Sequence, residues 1–411
     1  MRVVFLIFSA VFLVLGARAQ NIPIFKYKND SLDYARLDAI LIKRIEKAQE
    51  AKDFGAIDSA FRARLKFLEG KEFFYRTIFS QDKSFTPYQD LYKIKNRDSI
   101  TKISVLGNGR RRLPRRLYRY KNLANVELID FKLAKIPRRL HVQTLALYNN
   151  FPKKPLKLSK NSTIIFLTIR GDEKGMLPER YDKLRKLAAL TLARNNLKTM
   201  PNLEGCNQLQ SLTLNNNNIE KIDPGIEKLT RLESLSFYKN NLAEIPDFLY
   251  TMRSLKVVDL YFNRIRTVSP AIANWKDVEI LYLANNDIYS LPNEIGELTK
   301  LRELYLHHNK LSNIPPTIGN LTSLSVLRIN NNGMIEWPQG LSNIKTLTNF
   351  DCSFNNFETL PITELDFRNM KILSIGGNPW DPKLKPNILA WVDSLRENET
   401  VVHLDNYLLR K

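Results

Sequence analysis

Two adjacent histidines, His307 and His308, are the residues of this sequence that most resemble a metal or catalytic site. They lie in the stretch LRELYLHHNKL, Leu301 to Leu311, and the chain of 411 residues has only four histidines. A zinc site needs three or four ligands that converge at about 2.0–2.3 Å. Whether the pair has such partners depends on the element that carries it.

That element is one copy of a repeat that runs through most of the chain. The segments LESLSFYKNNLAEIP, VEILYLANNDIYSLP and LSVLRINNNGMIEWP fit the same template, L-x-x-L-x-L-x-x-N-x-L-x-x-L-P. Its Asn position recurs every 22 or 23 residues, apart from one interval of 19. The thirteen positions are Asn108, Phe131, Asn150, Asp172, Asn195, Asn217, Asn240, Asn263, Asn286, Asn309, Asn332, Asn355 and Asn378.

These motifs resemble the leucine-rich repeat family over residues 100–380. The segments LPNEIGELTKL at 291–301 and IPPTIGNLTSL at 314–324 are similar to its 23-residue type, which is found in bacterial proteins, plant receptors and Ras-associated scaffolds. Phe131 and Asp172 depart from the family pattern, and the third unit is short. The resemblance implies a non-catalytic interaction scaffold, and we expect a secreted bacterial member.

The repeat pattern independently predicts an α/β solenoid. Alternating apolar residues in LxxLxL indicate a short strand with one buried face, and strands stacked about 4.8 Å apart would bury the leucines in one continuous core. The Asn amide then bonds backbone groups at the turn, and Pro begins a helical or irregular return. We therefore expect a curved parallel β-sheet on the concave face and the returns on the convex face.

Four regions are predicted along the chain: a signal peptide at 1–19, an N-terminal helical capping region at 20–98, a repeat domain of about 13 units at 99–380 and a C-terminal cap at 381–411. The signal peptide has one early arginine, then an apolar run, and Ala-Arg-Ala immediately before the predicted cleavage site. We expect a secreted, periplasmic or cell-surface protein with no transmembrane segment after cleavage. The region 20–98 has an alternative interpretation as an independent binding module.

The ends of the stack and the two cysteines allow sharper predictions. The C-terminal cap should contain a closing helix with Ile388, Leu389, Trp391, Val392 and Leu395 facing inward. Cys206 and Cys352 occupy core positions six units apart, roughly 29 Å along the stack. A disulfide needs α-carbons within about 7 Å, so we predict two buried free thiols.

Positions three, five and seven of each strand are predicted to face outward on the concave surface, with position eight at its rim. From 234 to 328 this surface is rich in tyrosine, which suits recognition because it offers large area and a polar tip. The alternative is that stacked tyrosines only stabilise the sheet. The predicted ligand-binding residues are Tyr238, Asp259, Tyr261, Phe262, Tyr282, Glu303, Tyr305, His307, His308 and Arg328.

In this register the histidine pair loses its resemblance to a metal site. Ala284 and Asn330 are the lateral neighbours of His307, and Glu303 lies about 13 Å away along the strand. We therefore predict no metal, no cofactor and no catalytic residues. The histidines instead suggest the hypothesis that binding is pH-sensitive near about pH 6–7.

The net charge of +21 is concentrated in one block. Residues 100–160 hold 16 Lys and Arg against 2 Asp and Glu, whereas residues 161–411 hold 29 against 28. The block should lie on returns, where it either binds an anionic surface or is a solvated convex face. Nucleic acid is not expected, because no nucleic-acid recognition fold is visible. The predicted anion-binding residues are Arg110, Arg111, Arg112, Arg115, Arg116 and Arg119.

These observations favour an exported, monomeric binding protein that recognises a protein or peptide on its concave face. The alternative is an adhesin-like binder of anionic glycan or envelope surface through the basic flank at 109–160. An enzyme is not expected, because the residues after the last repeat are too few for a catalytic domain.

Overall fold

The computed structural model describes residues 86–88, 96–150, 152–160, 163–171, 176–365, 367–404 and 408. The chain divides into two units, Met1–Tyr88 and Gln89–Lys411, and all but three of the described residues belong to the second. The predicted signal peptide and almost all of the predicted N-terminal cap lie outside the described residues. The first unit contributes one two-residue strand, β1, at Thr86–Pro87.

The second unit is built on an open parallel sheet of fourteen strands, each paired with the next along the chain, as the repeat pattern predicts. The strands are β2 Lys102–Arg110, β3 Asn125–Phe131, β4 Thr144–Tyr148, β5 Phe166–Arg170, β6 Ala189–Ala193, β7 Ser211–Thr213, β8 Ser234–Ser236, β9 Val257–Asp259, β10 Ile280–Tyr282, β11 Glu303–Tyr305, β12 Val326–Arg328, β13 Asn349–Asp351, β14 Ile372–Ser374 and β15 Val401–His403.

The alternation along each strand decides what is buried. In β11, Leu304 and the following Leu306 are fully buried, and Leu301 from the preceding return joins them. Equivalent leucines stack strand on strand through the register Leu281↔Leu304↔Leu327. The apolar core is therefore one continuous row, in which each unit packs mainly on its neighbours.

The returns contain short 3-10 helices, which agrees with the predicted helical or irregular convex side. Most of these helices have a proline as their first residue or as the residue just before it. Proline suits a helix start because its φ is fixed near the helical value and its missing N–H is not needed there. The helices are Arg97–Ser99, Arg115–Arg119, Pro224–Lys228, Asp247–Thr251, Pro270–Asn274, Asn293–Glu297, Pro316–Asn320, Leu341–Asn343, Ile362–Glu364 and Pro382–Leu384.

The repeated asparagines bond the backbone at each turn, as predicted. The Asn286 side-chain amide donates to the carbonyls of Leu260 and Leu283 at 2.9 and 3.0 Å, and its Oδ1 accepts from the N–H of Ile265 at 3.0 Å. Each such side chain therefore ties its own turn to the preceding unit. Asn108 is an exception: it is exposed, has a φ of 49°, and lies where the register of β2 and β3 shifts.

The C-terminal cap contains the predicted closing helix, α1, at Lys385–Glu397. Ile388, Val392 and Leu395 are buried, whereas Leu389 and Trp391 are partly exposed. The strand β15 follows α1 and pairs with β14, so the sheet continues past the helix, which the sequence pattern did not indicate. Within the ranges described here, no helix has the length and apolar character that crossing a membrane requires.

Both cysteines are free and buried, which confirms the prediction. Cys352 is fully buried beneath the concave strand face, and Cys206 is 3% exposed in a return. Burial raises the pKa of the Cys206 thiol to about 11, with a further contribution from Asp182, and burial also raises the pKa of Cys352. Both side chains therefore act as small apolar groups.

Candidate functional site

Position five of five adjacent strands places a row of polar and aromatic side chains on the concave face. The register sets Asp259 beside Tyr282, Tyr282 beside Tyr305, Tyr305 beside Arg328, and Arg328 beside Asp351. Because the intervening residues Val258, Leu281, Leu304, Leu327 and Phe350 fill the core, alternation forces these five onto the opposite face.

The tyrosines bury one another instead of projecting into solvent, which corrects the expectation of an outward-facing patch. Tyr238, Tyr261 and Tyr305 are only 7%, 5% and 8% exposed, and they form a cluster with Ala284. The rings of Tyr282 and Tyr305 stack with centroids 4.7 Å apart and an angle of 20° between their planes. Strands at the close spacing of a parallel sheet bring large side chains into contact, so this face has a small core of its own.

His307 is part of this buried layer. Its Nε2 lies 3.2 Å from the hydroxyl of Tyr261, across the small side chain of Ala284, and only 4% of the residue is exposed. Burial lowers the pKa of His307 to about 3, and the neighbouring His308 and Arg328 lower it further. The hypothesis of a charge change near pH 6–7 is therefore wrong for this residue, since its ring stays neutral at those values.

His308 differs from its neighbour because its backbone turns. Its φ is 53°, in the left-handed region, and its side chain is exposed at the rim. Burial still lowers its pKa, while Asp351 opposes that shift. The two rings lie 5.6 Å apart, and no three His, Cys, Asp or Glu side chains in the described part of the chain form a group that would hold a metal.

Asp259 is a largely buried carboxyl on this face. Burial raises its pKa to about 6, although hydrogen bonds from Ser236 and the N–H of Tyr261 oppose the shift. Ser236 Oγ lies 2.5 Å from Asp259 Oδ2 and 2.6 Å from Asn215 Oδ1. One hydroxyl hydrogen cannot serve two acceptors at once, so Ser236 donates to either Asp259 or Asn215.

Arg328 supplies the positive charge of the row. Its guanidinium carbon lies 5.9 Å from the centre of the Tyr305 ring, a cation–π arrangement. Burial lowers the pKa of Arg328, and Asp351, Tyr305, Glu303 and Tyr261 oppose that shift. Glu303 accepts a 2.8 Å hydrogen bond from the hydroxyl of Tyr305, which holds the ring in place.

The predicted ligand residues therefore fall into two groups. Tyr238, Tyr261, Tyr305 and His307 are buried and support the surface from beneath. The partly or fully exposed residues, which a partner can reach, are Asp259, Phe262, Tyr282, Glu303, Arg328 and His308. Ser236 and Ala284 were missed from the sequence because they are small, and only their neighbours reveal what they do.

The basic residues predicted on returns lie away from this row, although Arg110 belongs to a strand. Arg110 ends β2, and Arg115, Arg116 and Arg119 lie on the 3-10 helix whose Leu117 points into the core. All six predicted arginines are exposed. None of the six has an ion-pair partner among the described residues, whereas Glu233, Asp277 and Asp287 pair with Lys256, Lys300 and Lys310 in the following units.

Comparisons with known proteins agree with this architecture. A model of a leucine-rich repeat region matches residues 271–407, and a leucine rich repeat model matches residues 207–265. No curated protein sequence matches the chain. The fold is similar to that of a leucine-rich repeat protein from Leptospira interrogans, with 22% identity, a TM-score of 0.53, and coverage of 77% of this chain and 99% of that one. An internalin from Listeria monocytogenes is similar at 21% identity and a TM-score of 0.57, over 75% of this chain and 87% of its own.

Proposed function

We propose that this chain, which has the leucine-rich repeat fold, is an exported, monomeric and non-catalytic protein of a bacterium that binds a protein or peptide on its concave face. The observation that carries the proposal is the row on β9–β13, where a stacked tyrosine pair lies between charged side chains. Leucine-rich repeat proteins commonly serve as protein-binding scaffolds, which supports this function.

The buried layer strengthens this proposal. Side chains that are already packed lose little conformational freedom when a partner binds, so less binding free energy is spent on ordering them. Tyr282 is held by Tyr305, and Tyr305 by Glu303, so the partly exposed ring of Tyr282 presents a preformed surface. Export rests on the apolar N-terminal segment of the sequence, and bacterial origin on the resemblance of its repeats to a 23-residue type that bacterial proteins share with plant receptors and Ras-associated scaffolds.

We expect Tyr282→Ala to abolish most binding of peptides that are selected against the wild-type protein from a random peptide library. The change removes the exposed ring of the stacked pair. Tyr289→Ala is the matched control, because Tyr289 is 53% exposed but lies outside the concave strands. Affinities measured by calorimetry should fall about tenfold or more for Tyr282→Ala only. Equal losses for both variants, or none, would contradict concave-face binding.

The basic flank supports a second candidate function, binding to an anionic glycan or envelope surface. Its arginines are exposed and unneutralised by carboxylates of the described residues, so their fields add. Heparin and vesicles that contain phosphatidylserine are suitable probes for the glycan and the lipid surface.

Charge reversal at Arg111, Arg112, Arg115 and Arg116 should abolish retention on these probes. Wild-type retention should also collapse as salt rises from 0.1 to about 1 M, because the screening length falls from about 10 to 3 Å. Lys256→Glu with Lys300→Glu is the control, since both lysines are paired with carboxylates away from the flank. Retention that does not fall as the salt concentration rises would count against this function. So would an equal loss of retention in the arginine variants and in the lysine control.

A further inference from the structure

The row on the concave face is asymmetric in charge. At one end, Arg328 lies over the ring of Tyr305 and is attracted by Asp351 on the next strand. At the other end, Asp259 is beside Tyr282, and no Lys or Arg of the described residues lies within ion-pair distance of it. The tyrosine pair therefore carries a cation on one side and only a carboxyl group on the other.

Glu303, on β11, adds a second acidic group on the other side of Tyr282 from Asp259. It is partly exposed, its Oε2 accepts from Tyr305, and its charge acts on Tyr282. Arg328 is attracted by both Glu303 and Asp351, but neither carboxylate lies within ion-pair distance of it among the described pairs. The guanidinium of Arg328 thus attracts two carboxyl groups of the face, those of Glu303 and Asp351, and Asp259 is not among the groups that act on it.

Four carboxylates in the same part of the solenoid have a cation that the repeat supplies. Glu233, Asp277, Glu279 and Asp287 each form an ion pair with a Lys or Arg of the following unit, at 2.5 to 3.8 Å. The repeat places a cation 23 residues after each of these acids. At Asp259 and Glu303 the residues 23 positions later are Tyr282 and Val326, which supply no positive charge.

We infer that the ring of Tyr282, between Asp259 and Glu303, receives a lysine or arginine side chain of the bound protein or peptide. Arg328 on Tyr305 shows a related arrangement one strand away, where a guanidinium lies over a ring and is attracted by the carboxylates of Asp351 and Glu303. An aromatic face and an adjacent carboxylate both attract a cation, and the partial burial of the site strengthens the attraction. An anionic or wholly apolar side chain would leave both acids uncompensated. This assignment rests on the proposed function.

The contact has an expected pH dependence. The groups around Asp259 are Ser236 on β8, Tyr261 just after its own strand, and Tyr282 on β10. None of these is cationic, and burial raises the pKa of Asp259 to about 6. A cationic ligand binds better when Asp259 is ionised, so its affinity should rise by up to about tenfold from pH 5 to pH 7. Asp259→Asn should remove this rise.

Peptides selected from the random library against the wild-type protein provide the test. Each Lys in a selected peptide is replaced by norleucine, and each Arg by citrulline, to find the position that matters. We expect the replacement at one such peptide position to lower the affinity of the peptide for the wild-type protein about tenfold. In the double variant Asp259→Asn with Glu303→Gln the same peptide change should have almost no effect, because both partner carboxylates are already gone. Asp277→Asn is the control, since Asp277 pairs with Lys300 outside the concave face.

The outcomes separate this inference from the function on which it rests. Selected peptides that depend on Tyr282 but not on any Lys or Arg would overturn the cation site and leave concave-face binding intact. Peptides that ignore Tyr282, or a failure to select any peptide, would overturn both. Melting temperatures of the variants, measured alongside, show whether the fold is retained, and peptides compared within one variant are independent of its stability.

Discussion

Replacing Asn286 with alanine is expected to destabilise the solenoid by about 1–3 kcal/mol. The side chain donates to the carbonyls of Leu260, Leu283 and Ala284 and accepts from the N–H of Ile265, all within 3.2 Å. Alanine leaves the N–H of Ile265 without its acceptor, which costs about 1–3 kcal/mol. The carbonyls of Leu260, Leu283 and Ala284 each lose one donor but keep another, from Asn263, Asn309 and the N–H of Phe262. No apolar contact of comparable size is lost, so the effect comes from hydrogen bonding.

Chemical denaturation and native-state hydrogen exchange are the appropriate measurements. Since each unit contacts mainly its neighbours, the loss should appear first in the amides around β9 and β10, including that of Ile265. Asn313→Ala is the matched control, because Asn313 is exposed in a return. If the two variants differed by less than about 1 kcal/mol, the asparagine row would not stabilise the fold as the hydrogen bonds indicate.

Acid should destabilise the wild-type protein more steeply than a His307→Gln variant. The buried ring of His307 has a folded-state pKa of about 3, against a usual value of 6.5. Below pH 6.5 the unfolded chain therefore binds a proton that the folded protein excludes, so stability falls as pH falls from 6.5 towards 3. At pH 4 this contributes roughly 3 kcal/mol of destabilisation.

The slope of unfolding free energy against pH, compared between the two proteins, measures this contribution. Burial raises the pKa of Asp259 and Asp351, which acts in the opposite direction, but both residues remain in the variant and cancel in the comparison. His308→Gln is the control, because that side chain is exposed. A His307 resonance that titrates near pH 6.5 in NMR, or parallel slopes for the two proteins, would refute the account.

The fold could be predicted from the sequence in unusual detail because each position of the repeat occurs in many units. Residues at equivalent positions therefore indicate together whether that position is buried or exposed. Cys352 lies in a column of buried residues such as Leu306 and Ile329, so its burial followed from register alone. Asn108 and β15 could not be placed in this way. Asn108 fits the spacing of the motif, but the shifted register of β2 moves it to the surface, and β15 lies beyond a helix that interrupts the period.

The sequence predicted which face of the sheet carries the candidate residues but not how deeply they are buried. The columns placed Tyr238, Tyr261, Tyr305 and His307 on the face opposite the leucine core, where they lie. Their burial could not be predicted, because it depends on how side chains of separate units lean across the sheet. The hydroxyl of Tyr261 reaches His307 only because Ala284, on the strand between them, is small.

The sequence by itself determined which residues build the core, which asparagines bond the turns, and which columns share the concave face. These properties are local and periodic, since strand alternation and the repeat length decide them. Only the tertiary structure decided which concave residues are exposed, that His307 stays neutral, and that Asp259 and Glu303 form no ion pair with a described residue. Those properties depend on desolvation and on charges that the fold brings together from residues 23 or 46 positions apart in the sequence. A local sequence pattern does not reveal contacts between residues so far apart.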